Sequence, residues 1–230
     1  MFFYYDPTWW LIIAGMIISL VASANVNATY RKYSKINNVR GMSASEAAER
    51  ILKGAGIYDV KIDRVRGDLT DHYDPRNKTV RLSDSVYDSA SVAAIGVAAH
   101  ECGHVIQHYK GFLLIQIRNA IVPVANFGSK LSFPLILIGI IFGMTNLVNF
   151  GIALFSLVLL FQLVTLPVEF NASRRAISII RDNGILQGEE VSRAKKVLNA
   201  AALTYVAGTI ATALQVLRLM ILFGGRRRRS

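Results

Sequence analysis

Val97-Ala98-Ala99-His100-Glu101-Cys102-Gly103-His104 is the stretch on which the reading of this chain turns. On an α-helix, residues four apart lie one turn apart and about 40° around the axis. His100 and His104 therefore offer two imidazoles to one metal ion, and Glu101 falls beside them. This residue set suits zinc, one ion per chain, because a bound Zn²⁺ lowers the pKa of its water to about 7 and a neighbouring carboxylate can then take the proton. The small residues Ala98, Ala99 and Gly103 allow another element to approach closely.

The surroundings of that stretch predict a small α+β region. Upstream, Ser43 and Glu46 form a capping-box pattern opening a short helix that ends at Gly54 and Gly56. Val60 to Val65 alternates apolar and polar residues as a half-buried strand does. Further strands are expected at Thr70 to Asp74 and Thr79 to Leu82, joined by the turn Asp74-Pro75-Arg76-Asn77 into an antiparallel hairpin. Ser89 or Ser91 caps the helix of the two histidines, which reaches Tyr109 before Gly111. The strand at Thr79 to Leu82 is expected to offer an edge to an extended peptide.

Outside this region the chain is strongly apolar. Hydrophobic residues make up 53% of the 230 and gather in long runs. Spans are expected at Thr8 to Ala28, Leu131 to Leu147, Phe150 to Leu166 and Ala200 to Phe223. The last is studded with Tyr205, Thr209, Thr212, Gln215 and Arg218. A helix at the membrane interface is expected over Phe112 to Phe127, and Thr145, Asn146 and Asn149 are the polar residues between the second and third spans. Tyr4, Tyr5, Trp9 and Trp10 mark one interface at the entry to the first span. The leading residues lack the basic start of a cleavable signal peptide.

Lys and Arg number 26 against 15 Asp and Glu, a net charge of +11. With so many apolar runs, this surplus fits anionic lipid head groups, with Arg226 to Arg229 as one contact, and excludes nucleic acid as the leading partner. Arg31, Lys32, Lys35 and Arg40 directly follow the first span, which places that side in the cytoplasm. The single cysteine, Cys102, excludes an intrachain disulfide and reads as a small core residue. The division expected is 1–30 as membrane anchor, 31–130 as cytoplasmic catalytic region and 131–167 as transmembrane hairpin. Residues 168–198 form a second cytoplasmic segment, and 199–230 the final apolar helix with its basic tail.

Catalytic zinc needs a third protein ligand. His108 extends the spacing, but eight helical residues put it about 12 Å from His100. Glu169, just after Pro167 at the cytoplasmic end of the third span where a returning helix can cross the histidine helix, is the leading candidate on the residues; Asp71, His72, Asp74 and Asp182 remain open beside it. His72 and Tyr73, just ahead of the histidine helix, are candidates to stabilise an oxyanion.

Three strings carry a resemblance: Asp71-His72-Tyr73-Asp74-Pro75-Arg76, the histidine stretch quoted above, and Leu166-Pro167-Val168-Glu169-Phe170-Asn171-Ala172-Ser173-Arg174-Arg175-Ala176. In order and spacing they resemble the YugP-type family of bacterial neutral zinc metallopeptidases, over nearly the whole chain. The layout is also similar to the HtpX and CAAX-prenyl-protease group, membrane gluzincins with helices between H-E-x-x-H and a later glutamate. The resemblance implies a zincin-like catalytic domain and a polypeptide substrate, membrane proteins included. It also implies a bacterial membrane, the cytoplasmic one, and Glu169 as third ligand; the basic residues after the first span put the site on the cytoplasmic side, and the H-E-x-x-H pattern itself makes Glu101 the general base. That group carries an aspartate four residues after the glutamate, orienting a histidine; Ser173 stands there in this chain, with a hydroxyl as the weaker acceptor. Rival readings are a metal-binding membrane scaffold or sensor without hydrolysis, and a transporter built on Gln215 and Arg218.

Overall fold

A computed structural model describes residues 6–223, so Tyr4, Tyr5 and the Arg226 to Arg229 cluster lie outside the described residues. The elements run α1 (Trp9–Tyr33), α2 (Ala44–Gly54), β1 (Lys61–Val65), β2 (His72–Asp74) and β3 (Thr79–Ser83). They continue with α3 (Val92–Tyr109), α4 (Leu113–Ile141), α5 (Thr145–Asp182) and α6 (Glu189–Phe223). The chain divides into two compact units, one of residues 1–23, 117–166 and 204–230, the other of residues 24–116 and 167–203.

The first unit is helical. α1, α4, α5 and α6 are each long and apolar enough to cross a membrane. Large apolar side chains on them face outward, among them Ile17, Leu20, Phe133, Leu137, Phe150 and Leu163, a cost that hydrocarbon surroundings remove. Helices within this unit meet at small residues: Gly15 lies against the backbone of Ala211, and Gly128 against the carbonyl of Leu154. Arg218 does not stand alone here, since its Nε donates to Asp6 Oδ2 at 3.0 Å.

Two expectations change in this unit. No separate interfacial helix covers Phe112 to Phe127; α4 runs unbroken from Leu113 past Arg118, Pro123 and Pro134. The turn falls at residues 142–144, where Gly143 takes φ 67°. Thr145, Asn146 and Asn149 belong to the start of α5. Polar residues there suit the free N–H groups of a helix start as well as they suit a loop.

In the second unit, α2 begins with the capping box the sequence predicts. Glu46 N donates to Ser43 Oγ and Ser43 N to Glu46 Oε2. Ser91 caps α3, its Oγ accepting from Ala94 N at 3.1 Å. Ile51 and Leu52 of α2, Val80 and Leu82 of β3, and Val92, Ile95, Ala98 and Val105 of α3 share one buried core with Ala176 and Ile180 of α5. Cys102 is fully buried in it, near Ala48 O, and burial pushes its thiol pKa up.

The sheet has three strands in the order β1-β3-β2. β2 and β3 form the expected antiparallel hairpin, with Tyr73 opposite Val80. β1 lies on the other side of β3 and parallel to it. β3 is therefore the central strand, and the edge expected at Thr79 to Leu82 is already occupied on both sides. The sheet's edges are β1 and β2.

α5 passes through Pro167 without ending and carries residues 168–182 as helix. The loss of its N–H bond at a proline is tolerated within apolar, well-packed helices. Gly184 and Gly188, both at positive φ, make the turn into α6.

Candidate metal centre

α3 holds His100, Glu101 and His104; α5 holds Glu169. Gly103 brings the two helices together. A Cβ built on it would lie 2.8 Å from Ala172 O, nearer than real contacts permit, so only glycine lets α5 approach this turn of α3.

At that crossing three ligand atoms converge. His100 Nε2 lies 3.2 Å from Glu169 Oε2 and 3.2 Å from His104 Nε2, and His104 Nε2 lies 3.5 Å from the same Oε2. A tetrahedral zinc with bonds of about 2.0–2.1 Å holds its ligand atoms about 3.3 Å apart. The triangle fits that ion. Two nitrogens and one carboxylate oxygen are also the donor set of many catalytic zinc sites. Among the described residues, this is the group of histidines and acids whose ligand atoms meet closely enough for a metal.

The electrostatics agree. Burial alone would push the His104 pKa down, but the hydrogen bond to Glu169 and the charges of Glu101 and Glu169 raise it on balance. The site favours a positive charge at this position, and a divalent cation meets that demand.

The ring nitrogens facing away from the triangle are also engaged. His100 Nδ1 lies 3.1 Å from Ser173 Oγ, and His104 Nδ1 lies 3.0 Å from Gln107 Oε1. Gln107 is fully buried, and its Nε2 donates to Val168 O at 2.8 Å and Asn171 Oδ1 at 3.0 Å. Both partners are acceptors, so the amide turns its oxygen to His104. Nδ1 of His104 then carries the proton, and Nε2 presents its lone pair to the centre. Arg175 Nε donates to Asn171 Oδ1 at 2.7 Å, which holds that oxygen toward Gln107. Sequence reasoning missed Gln107 and Asn171; the available signal was an amide three residues after His104 on an otherwise apolar helix.

Gln107→Leu removes the acceptor while keeping the bulk. Zinc affinity is expected to fall about 10–100-fold, measured by competition with a chromophoric chelator. Affinity within twofold of wild type would mean the amide does not orient the ring.

Glu101 is buried to 9% exposure. Among the described residues no hydrogen bond or ion pair holds its carboxylate. The other candidates lie elsewhere. Asp71 accepts from the backbone and hydroxyl of Ser83, and Asp74 closes the β2–β3 turn through the N–H groups of Arg76 and Asn77. Asp182 accepts from Ser178. His72 is exposed, with Nδ1 on Thr70 O. His108 stacks edge-on to Tyr73 at 6.1 Å. The Tyr73 hydroxyl is buried without a partner, and burial pushes its pKa up to about 12.

The chain belongs to the family described as "Putative neutral zinc metallopeptidase", whose model it matches over residues 8–224. A similar protein is "Putative membrane protease YugP" of Bacillus subtilis (strain 168). It is 46% identical over 213 residues, which cover 93% of this chain and 95% of that protein. No solved structure matches.

Proposed function

We propose that the chain is a membrane-embedded zinc endopeptidase that cleaves polypeptides with Glu101 as general base. The observation carrying this reading is the triangle of His100, His104 and Glu169 ligand atoms beside a buried, unpartnered carboxylate. The three residues would hold one Zn²⁺, which supplies an acidified water and polarises the scissile carbonyl. Glu101 takes the proton of the attacking water and delivers it to the leaving amine nitrogen. Gln107 and Ser173 keep the two imidazoles in register. Tyr73, whose hydroxyl has no hydrogen-bond partner among the described residues and stays protonated, is the group we assign to the developing oxyanion. His72, turned to Thr70 O, is the weaker choice.

The basic run Arg31, Lys32, Lys35 and Arg40 after α1 supports a cytoplasmic site. Substrates are then polypeptide segments exposed at that face of the membrane, those of membrane proteins included.

The full chain purified in detergent is expected to cleave unfolded casein. A zinc chelator should reduce cleavage to background, and equimolar zinc should restore it. Cleavage indifferent to the chelator would defeat the reading. Zinc uptake without any cleavage would favour the metal-binding scaffold.

A further inference from the structure

Beside the metal centre, α5 and α6 enclose a groove of about 460 Å³. Pro167, Phe170, Arg174 and Ile177 recur at helical spacing along one face of α5, and Lys195 and Leu198 lie across from them on α6. Ser173 lines the same groove and is the residue whose hydroxyl meets His100 Nδ1. The groove thus begins one hydrogen bond from a proposed metal ligand. Ser173 meets the ring nitrogen that faces away from the triangle, so the groove lies behind the His100 ring; an extended peptide advances about 3.3 Å per residue, and one that runs from the centre past Ser173 enters the groove a few residues from its scissile bond.

The groove's chemistry selects what enters. Its floor is apolar, from Phe170, Ile177 and Leu198, and its cations are Arg174 and Lys195, with no acidic residue in the lining. Among the described residues neither cation has an ion-pair partner. Two unpaired cations over an apolar floor complement a carboxylate carried on methylenes, and the guanidinium can grip it through two N–H bonds.

We infer that this groove is a substrate subsite for an acidic side chain, glutamate or aspartate, a few residues from the cleaved bond; the inference rests on the peptidase reading above.

The test uses the full-length, zinc-loaded Glu101→Gln protein in phosphatidylcholine nanodiscs. The probes are fluorescein-labelled heptapeptide amides with Leu-Glu-Leu at the centre, and their Gln and Lys counterparts, followed by anisotropy. The glutamate peptide is expected to bind about fivefold more tightly than the glutamine one, as two exposed charge pairs allow. That preference should vanish in Arg174→Ala/Lys195→Ala and turn toward lysine in Arg174→Glu/Lys195→Glu, with zinc content unchanged. Equal affinities for the three peptides, or a preference that survives neutralisation of both cations, overturns the inference. So does displacement of all three peptides alike by phosphatidylglycerol vesicles, which assigns the groove to a lipid head group. Charge-selective binding by a wild-type protein that hydrolyses none of the peptides would leave the groove standing and remove the peptidase reading.

Discussion

Glu101→Gln is expected to lower kcat by about 10²–10⁴-fold, the range a positioned general base contributes, with zinc still bound at one per chain. The amide matches the carboxylate in shape but has no lone-pair anion to take a proton. Zinc retention follows from geometry: the converging atoms belong to His100, His104 and Glu169, not to Glu101. Nor does any fold interaction go missing, since the carboxylate has no hydrogen-bond or ion-pair partner among the described residues. The measurement is steady-state hydrolysis of an unfolded protein beside metal analysis of the same preparation. Activity within tenfold of wild type would place the base elsewhere.

Glu169→Ala is expected to abolish stoichiometric zinc binding, a loss exceeding the roughly 100-fold attached to residues that only orient ligands. Glu169 is 2% exposed and supplies the sole anionic atom of the triangle, so without it only two imidazole nitrogens are left to ligate a dication. A thermal readout separates this from general damage. Saturating zinc at about 100 times Kd stabilises a binding protein by about 2.7 kcal/mol, and the melting temperature of wild type should rise accordingly. The variant's should stay the same with and without zinc. A variant that still takes up one zinc ion would show the third ligand to be another residue.

Local features of this protein were legible from its residues. The capping box at Ser43 and Glu46, the Ser91 cap and the helical register of His100 and His104 depend on neighbours within four positions, where physical rules are sharp. The centre's third member was not legible in that way. Glu169 stands 69 residues from His100 with the whole of α4 between them, and no periodicity links the two; its place after Pro167 made it the leading candidate among several, and the resemblance singled it out. The parallel pairing of β1 with β3 is likewise nonlocal, and reading the strands in chain order as neighbours made β3 an edge. Arg118 and Asn119 interrupt the apolar pattern of residues 112–127 and suggested a separate interfacial helix, whereas α4 carries them within one long helix. Gln107 and Asn171 were missed for another reason: an amide's role depends on what its two ends meet, and those partners lie on a different helix.

The order of these parts along the chain also has a temporal meaning. The ribosome releases the histidine pair first, then α4, and only afterwards the part of α5 that bears Glu169. Until two long apolar helices have been made, the nascent polypeptide holds an incomplete set of metal donors. On the reading proposed above, the centre cannot assemble before α5 has been made, whereas the last apolar helix, α6, follows it.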